Sequence, residues 1–297
     1  MVRDLSRTGS FLLMQKHRSV LNRAGTLFLF VEYHKNTKVT GCGMVGKIIA
    51  VANQKGGVAK TTTAVNLGAC LAVAGNQVLV VDVDPQGNAS SGLGIDRQKI
   101  RHCIYDVLID EMPVVDVIQP TAVGNLRVVP ATIQLAGAEV ELVAAISREF
   151  RLRRALQPVR DLYDYCLLDC PPSLGLLTLN ALAAADSVIV PIQCEYYALE
   201  GLGQLMQTIK LVQRHLNASL HLEGVVLTMF DGRTNLSIQV VDEVKRHFKE
   251  KVFSTIIPRN VRLSEAPSHG KPVVAYDPRS RGAEVYQELA REVMQNG

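Results

Sequence analysis

From residue 47 onward the chain alternates between two kinds of hydrophobic pattern. Short, continuous runs rich in β-branched residues occupy Lys47–Ala52, Gln77–Asp82, Leu126–Pro130, Tyr165–Asp169, Ser187–Ile192, Leu222–Met229 and Val252–Ile257. Longer stretches with helical spacing fall between them, at Thr61–Ala74, Ala136–Leu156, Leu174–Ala184, Leu199–His215 and Ile238–Lys249, and a last one at Gly282–Met294 closes the chain. A strand that is apolar throughout expects cover on both faces, so the alternation predicts an α/β fold: a mostly parallel twisted sheet with helices on either side. After residue 46 there is no internal repeat, low-complexity tract or Pro/Gly-rich linker, so one domain is expected over residues 44–297.

Residues 1–43 break this pattern. They carry seven Lys/Arg (Arg3, Arg7, Lys16, Arg18, Arg23, Lys35, Lys38) against Asp4 and Glu32, a net +5, with no sustained period. Such a basic, acid-poor extension has three readings: a targeting segment, a DNA-binding arm, or a disordered tail translated from upstream of a natural start at Met44. The third is preferred. The whole chain has 297 residues and a net charge of +4, which at face value suggests mild attraction to a polyanion. Subtracting the extension changes that: residues 44–297 hold 25 basic and 26 acidic residues, a net −1. Within them, residues 233–262 carry seven basic residues against three acidic, a net +4.

Hydrophobic residues make up 47% of the chain and charged residues 20%, which excludes a wholly disordered protein. No stretch approaches the roughly 20 apolar residues that span a bilayer. The six cysteines form no C-x-x-C pair, so zinc and iron–sulfur templates fail and buried, reduced thiols are expected.

The candidate chemistry begins where the first strand ends. Asn53-Gln54-Lys55-Gly56-Gly57-Val58-Ala59-Lys60-Thr61-Thr62 leads from a strand into a helix. Glycines let backbone N–H groups turn toward phosphate, a helix N-terminus adds positive potential, and Lys60 can neutralise β/γ-phosphates. Thr61 offers a hydroxyl where Mg²⁺ bridges those phosphates. The common G-x-x-x-x-G-K-[ST] pattern is not met, because Gln54 and Ala59 replace its glycines; the variant K-G-G-x-x-K-T is. Two acidic segments follow, each at a strand end: Asp82-Val83-Asp84-Pro85-Gln86-Gly87-Asn88 and Leu167-Leu168-Asp169-Cys170-Pro171-Pro172. A carboxylate there can orient water or hold a metal ion. Asp84 is assigned the first task, and Asp169, supported by Asp82, the second.

The three motifs together resemble the deviant Walker A ATPases, and most closely the ParA/Soj partition ATPases. The likeness continues through Ser173-Leu174-Gly175, Pro191–Gly201 and Ile257–Ser268. It implies that Lys55 reaches across a homodimer to the partner's ATP, as an arginine finger does, so Lys55 and Asp84 form the catalytic pair. Residues 55–62 then bind ATP, Pro258 and Asn260 border the adenine, and Thr61, Asp82 and Asp169 serve Mg²⁺. It also implies that Arg233 and Arg262 bind DNA non-specifically in the ATP-bound dimer, with a ParB/Spo0J-type partner stimulating hydrolysis. Chromosome segregation follows, with links to the replication initiator DnaA and to sporulation, in a cytoplasmic, nucleoid-associated protein without stable membrane insertion. Two alternatives are a MinD-like membrane-associated ATPase and a nucleotide-gated regulator whose hydrolysis is incidental. The first needs a basic amphipathic terminal helix, whereas Glu288–Gly297 reads as a last packed helix. The second is disfavoured by the presence of Lys55, Lys60, Asp84 and Asp169.

Overall fold

The structure is a computed structural model that describes residues 18–21, 27–30, 46–195 and 202–296. It divides at Gly43. In the first unit, β1 (Arg18–Leu21) and β2 (Leu27–Phe30) pair antiparallel; Cys42 and the rest of that unit lie outside the described residues.

In the second unit, β3 (Lys47–Val51), β4 (Val78–Asp82), β5 (Gln119–Pro120), β6 (Leu126–Val129), β7 (Tyr165–Asp169), β8 (Ser187–Gln193), β9 (His221–Phe230) and β10 (Val252–Pro258) form one sheet. Its order is β10-β9-β8-β3-β7-β4-β6-β5, parallel throughout except for the short edge strand β5. All seven strands read from the hydrophobic pattern are present, each within one or two residues of the expected ends. The two-residue β5, too short to show a period, was not.

The helices are α1 (Lys60–Val73), α2 (Asn88–Gly92), α3 (Ile104–Leu108), α4 (Leu135–Glu141), α5 (Arg151–Leu156), α6 (Leu176–Ala184), α7 (Leu202–His215), α8 (Asn235–Phe248), α9 (Val261–Glu265), α10 (Val273–Tyr276) and α11 (Arg281–Gln295). They cover both sheet faces, giving two buried clusters. One includes Leu79, Val81, Leu168, Val188 and Leu227; the other includes Ile49, Leu67, Val80, Leu167 and Tyr286. The alternate residues of a single strand, such as Leu167 and Leu168, feed opposite clusters, which is why these strands are apolar throughout. The start of the expected helix at Leu199 lies outside the described residues.

One expected helix is corrected. Ala136–Leu156 is two helices, α4 and α5, separated by two 3₁₀ turns and by Ser147 in the left-handed region (φ 51°). The break is stabilised from outside: Asn180 of α6 donates to the Arg148 carbonyl (2.9 Å) and accepts from Leu152 N (3.2 Å). These two backbone groups would otherwise have been helix-bonded, and a tertiary side chain takes them over.

Pro191 within β8 looks misplaced in a central strand. Its side of the ladder faces β3, which ends at Val51; the last β3–β8 pair is Val51 with Ile189. The missing N–H therefore lies beyond the neighbour's end, and the Pro191 carbonyl instead accepts from Asn53 Nδ2 (2.7 Å).

Candidate nucleotide site

Parallel register brings the first two acidic segments to the phosphate loop. Val51, Asp169 and Asp82 occupy one rung across β3, β7 and β4. Just past that rung β3 becomes the loop and β4 becomes the Asp84 turn. The strand order places β7 between β3 and β4, so carboxylates from two different chain segments converge beside Lys60. This is the crevice at the carboxyl ends of the strands where open α/β sheets bind ligands.

The loop is held from both sides. Asn53 Oδ1 accepts from Lys55 N (3.0 Å), while Thr228 of β9 donates to the Val58 carbonyl (3.1 Å). Gly57 takes φ +74°, with open space around its Cα, so its glycine is required by the backbone and not by crowding. Ala59 takes φ 69°, ψ 33° at the start of α1. That is left-handed backbone carrying a methyl group, at a cost of about 1–2 kcal/mol. No side chain caps α1, so its first N–H groups remain available to an anion.

Lys60 is buried, and its Nζ donates to the Lys55 carbonyl (2.9 Å). Burial pulls its ammonium below the usual lysine range, opposed by the nearby carboxylates of Asp169 and Asp84. Asp169 is fully buried, and neither carboxylate oxygen has a hydrogen-bond partner. Burial raises its pKa well above the usual carboxylate range, and Asp82 raises it further; the Thr61 hydroxyl pulls it back without closing a bond to either oxygen. A buried carboxylate with two free oxygens is costly unless a cation completes it.

Asp82 differs. One of its oxygens accepts from Ser90 N (2.8 Å) and Ser90 Oγ (2.6 Å), the other from Asp84 N (3.3 Å). Ser90 Oγ in turn accepts from Ala131 N (2.9 Å). Burial still lifts Asp82 to about 6. Its oxygens thus brace the Asp84 turn, whereas those of Asp169 are uncommitted. Asp84 itself is buried, with Oδ1 accepting from Gln86 N (2.9 Å).

A pocket of about 600 Å³ opens beside Ala59 and Thr62. Its other walls include Thr228, Met229, Tyr286, Leu263 and the run Ile257–Val261, which holds Pro258 and Asn260. The volume suits a nucleoside. Asn260 Oδ1 is occupied in capping α9, accepting from Arg262 N (2.9 Å) and Leu263 N (3.3 Å), which leaves its amide for a ligand. Pro258 and Asn260, which the family resemblance sets beside the adenine, both line this pocket. The sequence motifs give no role to Asn53, Ser90 and Thr228, which bond to Pro191, Ala131 and Val58 in distant parts of the chain.

The two arginines expected on DNA are exposed but not free. Arg233 forms a two-point pair with Asp231 (2.9 and 2.7 Å), which holds that carboxyl down to about 2. Arg262 pairs with Glu265 (2.8 Å) and Asp277 (3.2 Å). Counting Asp231 lowers the local net charge from +4 over residues 233–262 to +3 over residues 231–262. Lys245, Arg246, Lys249 and Lys251, around the end of α8, are exposed and form no ion pair among the described residues. Cys70, Cys103, Cys166, Cys170 and Cys194 are all buried and free, as expected, and burial pushes Cys70, Cys166 and Cys194 up to about 12. Among the described residues no helix is long and apolar enough to cross a membrane. The terminal helix α11 packs through Val285, Tyr286, Leu289 and Val293.

Comparison with known proteins agrees with this geometry. A model of the AAA domain matches residues 46–222. The sporulation initiation inhibitor protein Soj of Bacillus subtilis is 67% identical over 253 residues, 85% of this chain and 100% of that protein. The chromosome partitioning protein ParA of Myxococcus xanthus is 59% identical, covering 86% and 90%. Among solved structures, the cobyrinic acid a,c-diamide synthase of Mycobacterium smegmatis with bound ADP and magnesium is 40% identical, with a TM-score of 0.75 over 84% of this chain and 94% of that one. Phosphate loop, converging carboxylates and near full-length likeness coincide in one domain: the chain belongs to the ParA/Soj family of chromosome-partitioning ATPases.

Proposed function

We propose that the protein is an ATP-gated dimeric switch that holds non-specific DNA when ATP is bound and releases it after hydrolysis. The observation carrying this reading is the buried, unpartnered Asp169 carboxylate on the same rung as Asp82, beside Lys60 and Thr61. Asp169 and Thr61 would hold Mg²⁺, with Asp82 behind them bracing the turn. When bound, the ion supplies charge neutralisation between the phosphates. Lys60 and the uncapped start of α1 bind phosphate, and the 600 Å³ pocket, with Pro258 and Asn260 on its wall, takes the base. Asp84, fixed at the mouth by its turn, orients the attacking water.

Lys55 sits at the open side of the loop, half-exposed, and is assigned to the ATP of a second copy. A dimer then presents two cationic surfaces to one duplex, and phosphate contacts add. A ParB-type partner stimulates hydrolysis. The Bacillus subtilis relative's name, a sporulation initiation inhibitor, motivates the further link to sporulation; the DnaA link rests on family resemblance alone.

The test is retention of a non-specific duplex in a gel shift with ATP, ADP or no nucleotide, repeated across salt. Retention with ATP only, weakening steeply with salt, is expected. Retention that ignores nucleotide would overturn the switch. Binding to anionic vesicles in place of DNA would favour the membrane-associated alternative.

A further inference from the structure

Helix α6 begins seven residues after Asp169, and the intervening Cys170–Leu174 segment leaves the nucleotide site. Gly175 precedes the helix and offers no side chain to cap it. The cap comes from elsewhere: Glu139 of α4, whose Oε2 accepts from Leu176 N (3.1 Å) and Oε1 from Leu177 N (3.3 Å). A carboxylate at a helix N-terminus meets both the free N–H groups and the positive end of the dipole. Thr178 Oγ1 adds a bond back to the Ser173 carbonyl (2.6 Å).

Gly175 is not demanded by its backbone, which is extended at φ −78°, ψ −168°. It is demanded by the carboxylate: a Cβ at position 175 would stand 2.4 and 2.5 Å from the two Glu139 oxygens. A side chain here forces the Glu139 carboxylate to shift from its seat against the two amides. The pair is therefore one device, a carboxylate and the vacancy that admits it, joining residues 36 positions apart.

We propose that Glu139, seated through Gly175, is a positioning residue for ATP hydrolysis: it sets where α6 starts and so where the Cys170–Leu174 segment stands beside the Asp169 carboxylate. The inference rests on the nucleotide-site reading above. β7 fixes one end of the segment and Glu139 the other, while Pro171 and Pro172 stiffen the middle. Loosening the far end leaves the nucleotide pocket intact but lets the segment drift during turnover.

The test uses the full chain with MgATP. Glu139→Ala is expected to lower kcat about tenfold while KM for ATP stays within about twofold. The Leu176 and Leu177 amides should exchange with solvent about tenfold faster. Glu139→Gln keeps one good acceptor and is expected to hold about half of the wild-type kcat. Gly175→Ala should match Glu139→Ala, and the double variant should fall no further, because both substitutions remove the same contact.

A folded Glu139→Ala with wild-type kcat overturns the proposal, as does an effect confined to KM or a double variant whose losses multiply. If Glu139→Ala does not fold, Glu139→Gln and Gly175→Ala decide by the same criteria. The amide exchange is read without nucleotide, so a latch that fails there is separable from an active-site reading that fails in wild-type turnover.

Discussion

The buried carboxylates beside the phosphate loop and the exposed cations between residues 231 and 262 are both charged clusters, yet they are built on opposite terms. Asp169 is fully buried with two unpartnered oxygens. Arg233 and Arg262 stand in water, each already paired with an acid. In the first region burial makes an uncompensated carboxylate costly, so it favours a proton or a bound cation over standing alone. In the second, exposed pairs are worth at most about 1 kcal/mol, so a phosphate can displace the acid at little cost. A buried cluster therefore identifies its ligand by what it lacks. A surface cluster only becomes a site when many weak contacts act together, as they would across two copies.

The largest expected effect is on the buried side. Lys60→Ala removes the one buried ammonium among the phosphate ligands and should lower ATP turnover by about a hundredfold or more, measured as phosphate release. Asp84→Ala follows: hydrolysis should fall about a hundredfold while ATP-dependent dimers and DNA retention persist, seen by light scattering and gel shift. Normal hydrolysis in this variant would remove Asp84 from the water-orienting role.

The surface region is tested next. Arg233→Ala with Arg262→Ala should lower DNA affinity about tenfold or more and flatten its salt dependence, leaving ATP-dependent dimerisation intact. Asp231→Asn sharpens the comparison, because releasing Arg233 should strengthen DNA binding and steepen the salt slope; no change would mean that Lys245, Arg246, Lys249 and Lys251 carry the contact. A smaller effect belongs to the loop itself. Ala59→Gly relieves left-handed strain at φ 69° and should raise stability by about 1 kcal/mol, a Tm increase of about 2–4 °C. The smallest is none: deleting residues 1–43 should leave DNA affinity unchanged, and a marked drop would make that segment a basic arm.

Much of the buried site was legible because its parts are written locally. Glycines before Lys60-Thr61, and aspartates at strand ends, each state their chemistry within ten residues. The strand order that unites them, with β7 between β3 and β4, belongs to the tertiary structure. What local reading missed was contact across the fold. Asn180 breaks a stretch whose own spacing reads as one helix. A local pairing was missed too: Asp231 lies two residues before the window in which charge was counted and holds Arg233. Ala59 replaces a motif glycine, and only its left-handed backbone shows that the methyl carries a cost.

The sequence by itself determined the α/β alternation, the glycine-rich loop leading into Lys60 and the aspartates at the strand ends, because strand hydrophobicity and loop chemistry are short-range properties. Only the tertiary structure decided which carboxylates were already spent. Asp82 and Asp169 end similar strands and read alike, but Ser90 reaches the first and nothing reaches the second. Glu139 likewise has no local signature, and its meaning arises where α4 meets the bare start of α6. Hydrogen-bond satisfaction is a sum over neighbours in space, and the chain order does not contain it.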